Sequence, residues 1–305
     1  MNSKGIVAIL KTTASNWKDD QAPTLGAALA YYTVFSLAPL LIIAIAIAGL
    51  AFGREAAQGQ IFDQLRNLLG DAGGKAMQDM VQNANAKPTT GLVATVIGVV
   101  TLLFGASGVF GQLQTSLNVI WGVQPKPGRG VLGILRDRFL SFGFVLVVGF
   151  LLLVSLVLTA LIPFVGQWFG GMSLGMEALA HILNLVLSLA VITLLFAMIF
   201  KFLPDAKIAW RDVWIGALIT AALFTAGKFA LGLYLGKSGV ASSYGAAGSL
   251  IVVLLWVYYS AQILFFGAEF TKVYANRSGS PVHPSDNAIA VPKHSPPSRL
   301  APPQE

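Results

Sequence analysis

The chain has 305 residues, 55% of them apolar and only 11% charged, with a formal net charge of +7 and no cysteine. A water-soluble domain carries about a quarter charged residues, so this composition excludes an ordinary soluble enzyme. The missing cysteines exclude disulfides, thiolate chemistry and Cys-ligated metals. The apolar residues fall in runs long enough to cross a bilayer. They predict an all-α polytopic membrane protein, a six-transmembrane-helix bundle with amphipathic interfacial helices.

Residues 1–24 form the first unit. Within it, 4–18 read as an amphipathic helix, with Lys4, Lys11 and Lys18 on one face and Ile6, Ile9, Leu10 and Trp17 opposite. Such a helix either lies on a cytoplasmic leaflet or packs as a solvated cap on the bundle. No apolar run with a small-residue cleavage site closely follows the first lysine, so no cleavable signal peptide is expected.

The membrane domain then covers 25–275, with spans near 25–53, 92–113, 139–163, 179–203, 213–236 and 246–273. The first run makes about 43 Å of helix, more than a straight span needs. Pro39 removes a backbone donor midway and predicts a kink or a break. Tyr31, Tyr32, Thr33 and Ser36 stand just before it and would line a break with polar groups.

Residues 54–90 predict a pair of helices at the outer surface. Ile61, Phe62, Leu65, Leu68 and Leu69 stripe one, and Ala76, Met77, Met80 and Val81 stripe the other after Gly73-Gly74. Gly105, Gly108 and Gly111 in the second span point to close helix approach. The fourth span opens on His181 and Asn184, and a His at a span end fits packing better than a proton relay. Past Asn276, prolines 281, 284, 292, 296, 297, 302 and 303 predict a disordered cytoplasmic tail over 276–305.

Lys and Arg residues cluster in alternate connections, which puts both termini in the cytoplasm and requires an even number of spans. Clusters so placed fit anionic membrane lipids as partners, not nucleic acid. Hydrolytic metal sites need converging His or carboxylate ligands, but His283 and His294 both fall in the tail. Gly232-Leu233-Tyr234-Leu235-Gly236-Lys237-Ser238 is one residue short of a phosphate loop. Neither a metal nor a cofactor is expected, and catalysis is not the reading.

Lys228 and Glu269 remain. With Asp212 as the cytoplasmic end, Lys228 lies about 24 Å along its helix, whereas Glu269 lies about 6 Å from Val273 on the returning one. The two are not expected to pair. At the level of Lys228 the neighbouring spans offer Trp256, Tyr258, Tyr259, Ser260, Asn184 and Ser188, and no carboxylate. A cation there must snorkel, meet aromatic faces and carbonyls, lose its proton, or face an anion.

The stretch Ala28-Leu29-Ala30-Tyr31-Tyr32-Thr33-Val34-Phe35-Ser36-Leu37-Ala38-Pro39 resembles the opening motif of the YihY/virulence factor BrkB family. Leu117-Asn118-Val119-Ile120-Trp121-Gly122-Val123, Leu203-Pro204-Asp205, Gly227-Lys228-Phe229, Tyr244-Gly245, Trp256-Val257-Tyr258 and Gly267-Ala268-Glu269 continue the resemblance over roughly 10–275. It implies a bacterial inner-membrane protein with six spans, described among its members as a transporter or an envelope-integrity factor. Some members have carried the label ribonuclease BN, which the scarcity of metal ligands here argues against transferring.

The candidate binding residues are Lys228, Tyr31, Tyr32, Ser36, Pro39, Tyr244, Tyr258 and Glu269. The leading expectation is a transporter or flippase-like protein for an amphipathic anionic lipid or envelope precursor. A non-enzymatic scaffold or envelope-integrity factor stands beside it, and a tRNA-processing ribonuclease is remote. The sequence leaves the oligomeric state open.

Overall fold

The computed structural model of the chain describes residues 3–85, 108–127, 174–237 and 248–291. The expected span 139–163, most of the span 92–113, Tyr244 and residues 292–305 lie outside the described residues. Those described are mostly helical. The helices are α1 (Ser3–Asp19), α2 (Ala22–Phe52), α3 (Arg54–Asn85), α4 (from 108 to 121), α5 (Leu174–Phe202), α6 (Trp210–Lys237) and α7 (Gly248–Ser278). Four carry stretches long and apolar enough to cross a membrane: Ala22–Leu50, Leu185–Phe202, Trp210–Tyr234 and Leu250–Ser278.

Helix α7 is the centre of the packing. α2 and α6 lie against it, α1 and α3 also touch it, and α5 packs on α6. The α6–α7 crossing explains why small residues sit where they do. Thr271 packs over Gly216 and Thr220 packs over Gly267, so a Cβ on either glycine would collide with the threonine opposite. Each threonine hydroxyl donates to a carbonyl one turn back in its own helix, Thr220 to Gly216 at 2.7 Å and Thr271 to Gly267 at 2.6 Å. The polar atoms are thus satisfied locally and the methyl groups are left to pack, which brings the two backbones close in a reciprocal Gly-x-x-x-Thr contact. Further along, Gly227 takes the side chains of Tyr259 and Ile263, and Gly26 of α2 takes Gln262 and Ala261.

α2 remains helical from Ala22 to Phe52 with Pro39 inside it, so of the kink or break expected there the break does not occur. Pro39 costs one backbone hydrogen bond, and the buried side chains of Leu41 and Ile45 pack with Val253, Phe62, Met77 and Val81 just beyond it. α3 does not run straight. Arg66 lies against Gly74, its Nη2 donates to Gln78 Oε1 at 3.2 Å, and Phe62 shares a core with Met77 and Val81. Residues eight apart stand about 12 Å apart on a straight helix, so the two ends of α3 double back as a pair. α1 packs on the bundle through Ile9 and Thr13, both buried, while Ile6, Val7 and Leu10 stay exposed.

The chain past Asn276 departs most from expectation. α7 continues to Ser278, and residues 279–291 are woven into a cap at the end of the bundle where α2 begins. β4 (Ala288–Ala290) pairs antiparallel with β1 (Val123–Pro125), and β3 (His283–Pro284) with β2 (Ala206–Lys207). The disordered tail expected from residue 276 is therefore corrected for 276–291. Proline-rich composition argued against a hydrophobic core, but this segment is held by backbone pairing to two other loops.

Candidate functional site

Depth in the bundle follows from the close contacts. The apolar stretch of α2 starts at Ala22, Gly26 meets Gln262, and Gly227 meets Tyr259 about one turn further in. Lys228 therefore lies roughly 10 Å inside the level of Ala22. Counted along α6 itself, whose apolar stretch starts at Trp210, Lys228 lies about 24 Å beyond Asp212, a residue that also belongs to the cap. Its buried carboxylate accepts the Ser280 N–H at 2.9 Å.

Lys228 stands on a defined face of α6. Phe224, Ala221 and Ala217 precede it at helical spacing; both alanines are fully buried, and the Phe224 ring packs on Phe196 and Trp256 at 5.6 and 5.9 Å between centroids. This is the face turned toward α5 and α7. Lys228 itself is half-buried, with Nζ 5.6 Å from the centre of the Phe229 ring. Among the described residues it forms no ion pair, with Glu269 or any other carboxylate.

The other candidates do not gather around it. Tyr31, Tyr32, Ser36 and Pro39 belong to α2, which packs on α7 and α3. Tyr31 and Tyr32 are exposed and stack edge-on at 5.9 Å, Pro39 is half-buried, and buried Ser36 is tight against Gly108 of α4. Tyr258 is half-buried one turn from Gln262, on the α2 side of α7. Glu269 is fully buried, nearer the cap. Tyr244 lies outside the described residues, as do the side chains of His181 and Asn184. The structure thus separates an α2 set, an α7 set and Lys228.

Sequence reasoning missed a polar junction beneath the cap. Asn118 of α4 clasps Asp205: its Nδ2 donates to the carboxylate at 3.0 Å, and its Oδ1 accepts the Asp205 N–H at 2.8 Å. Lys272 donates to the Ile120 carbonyl and sits 3.8 Å from the Asp20 carboxylate, both side chains nearly buried. Glu269 lies one turn before Lys272 on α7. Lys207 pairs with Asp286 at 2.5 Å, and Lys126 donates to the Asp286 carbonyl at 2.8 Å. Lys207 and Lys126 hold the exposed Asp286 carboxyl below its ordinary value, first through the Lys207 hydrogen bond. The available signal was the pairing of an Asn in one motif with an Asp in another, which spacing alone does not connect.

A family model described as Virulence factor BrkB matches residues 13–289. The chain belongs to that family. The match runs through β3 and into β4, so the family region extends past residue 275 to include the cap. The chain is 32% identical over 262 residues to a UPF0761 membrane protein of Pseudomonas paraeruginosa, covering 84% of this chain and 60% of the relative. It is 26% identical over 251 residues to a UPF0761 membrane protein of Mannheimia succiniciproducens, covering 81% and 82%. A third, from Alteromonas mediterranea, is 27% identical over 259 residues, covering 83% of each chain. The chain thus spans about 60% of the length of its Pseudomonas relatives. No solved structure matches it.

Proposed function

We propose that this membrane protein moves an amphipathic anionic molecule, a lipid or an envelope precursor, across a bacterial inner membrane. In this reading it has six spans and both termini in the cytoplasm, so the cap faces the cytoplasm, as its Lys and Arg content favours. One observation carries the reading. Lys228 stands about 10 Å inside the apolar bundle on the face that holds Ala217, Ala221 and Phe224, with no carboxylate paired to it among the described residues. A cation at that depth is costly unless an anion or water meets it, and ionisable groups in spans mark substrate paths. The names of the family and of its relatives assign no enzymatic activity.

The experiment is flux of fluorescent anionic lipid in reconstituted vesicles, alongside complementation of a deletion strain. Lys228→Ala should lower flux at least about tenfold and Lys228→Glu should abolish it, with membrane abundance unchanged. Lys228→Arg keeps the charge and should retain part of the activity. Full flux in the alanine variant would defeat the proposal. The interlocked cap supports the second reading, a non-enzymatic scaffold. That reading gains if a partner co-purifies through the cap and wild-type protein gives no flux.

A further inference from the structure

We propose that a second site, on the opposite face of α6 from Lys228, binds an anionic phospholipid of the leaflet on the cap side. α1, α6 and α7 border an open surface crevice of about 430 Å³ lined by Ala14, Trp17, Leu223, Tyr259, Ile263 and Phe266, with Gln262 at its wall. Leu223 and Lys228 are five positions apart, which turns them about 140° from each other around α6. The two sites therefore do not share a lining.

Three features select the occupant. The wall is largely apolar and lies about one turn inside the level of Ala22, the depth at which a lipid headgroup gives way to its acyl chains. Within that wall, among the described residues, neither amide atom of Gln262 nor the Trp17 indole nitrogen has a hydrogen-bond partner, although all three atoms are buried. An unsatisfied buried donor costs about 1–3 kcal/mol, which an ester or phosphate oxygen placed there would relieve.

The third feature is charge. Lys11 and Lys18 stand about one turn before and one turn after Ala14 on the neighbouring face of α1, and both are exposed. The nearby acids are partly engaged, with Asp20 beside Lys272 and Asp19 accepting from Ser15 at 3.4 Å. An acyl chain in the crevice, glycerol oxygens on Trp17 and Gln262, and an anionic headgroup between Lys11 and Lys18 satisfy all three features. The exposed Ile6, Val7 and Leu10 place the same helix against the leaflet. The leaflet is the cytoplasmic one if the orientation proposed above holds; the site itself requires neither that orientation nor transport.

The test is lipid retention by the full chain, released from nanodiscs of equal phosphatidylglycerol and phosphatidylcholine and weighed by native mass spectrometry. Wild type should retain phosphatidylglycerol at least about fivefold over phosphatidylcholine. Leu223→Trp fills the crevice and should remove one retained lipid. Trp17→Phe keeps the shape but removes the donor, and should weaken retention by a smaller factor. The double change Lys11→Gln with Lys18→Gln, on exposed side chains that cannot unfold the bundle, should erase the preference for phosphatidylglycerol. Equal retention of the two lipids by wild type, or unchanged retention in the lysine double variant, would overturn the anionic site. Flux through Lys228 is read separately, so either proposal can fail alone.

Discussion

The α6–α7 crossing and the cap beneath it are built on opposite physics. In the crossing, Gly216, Thr220, Gly267 and Thr271 bring two backbones together, and every hydroxyl is satisfied within its own helix. In the cap, segments around residues 118–126, 203–212 and 279–291 are joined by hydrogen bonds across long chain separations, such as Asn118–Asp205 and Asp212–Ser280. Lipid supplies little drive for apolar helices to associate, so the crossing depends on shape. The cap is made of polar groups, so it depends on hydrogen-bond satisfaction and ion pairs.

That difference predicts the largest effect for bulk at the crossing. Gly216→Leu would drive a side chain into Thr271, where the neighbours are two packed helices. The expected cost is about 3 kcal/mol or more, read as a lower thermal midpoint and loss of a monodisperse peak in detergent. Gly232 in the same helix is the control, since a Cβ there meets nothing within 4 Å and Gly232→Leu should leave the midpoint nearly unchanged. Equal loss in the two variants would show that the crossing is not shape-dependent.

Polar deletion in the cap ranks next. Asp212→Ala strips the acceptor from the Ser280 N–H and removes a carboxylate from the first turn of α6. We expect a cost of about 1–3 kcal/mol, concentrated in residues 279–291. Limited proteolysis should cut that segment while the helices remain protected. Asp212→Asn keeps an acceptor and should restore most of the protection. Uniform loss of protection across the helices would mean that cap and bundle unfold together.

Hydropathy made the bundle legible, because an apolar run announces a span without knowledge of its neighbours. Leu25–Gly53 and 213–236 fall within α2 and α6 almost as expected. The cap was not legible. Its strands are two or three residues long, too short for periodicity, and their partners lie as far away as Val123 from Ala290. The candidate site was readable only in part. Helical spacing puts Lys228 with Phe224, Ala221 and Ala217, but it does not show that Asp212, at the start of the same helix, also serves the cap. Tyr31, Tyr32 and Ser36 stand on α2, which packs on α7, and spacing, which gives level along a helix, does not tell which neighbour a helix packs against.

The smallest effect belongs to the ion pair at the cap's edge. Lys207 lowers the Asp286 carboxyl below its ordinary value of 3.8 in the folded chain. A depressed carboxylate stabilises the fold above its unfolded pKa, and that contribution is lost as pH falls through the lower folded value. Acidification below about 4 should therefore loosen β2–β3, seen as faster amide exchange at Ser285, whose N–H bonds the Asp205 carbonyl at 2.9 Å. Both partners are largely solvent-exposed, so added salt should mute the change. Asp286→Asn removes the titrating group and should flatten this part of the profile, while leaving the Lys126 bond to the residue 286 carbonyl intact. An unaltered acid response in that variant would show that the Lys207–Asp286 pair does not set the acid sensitivity of the cap.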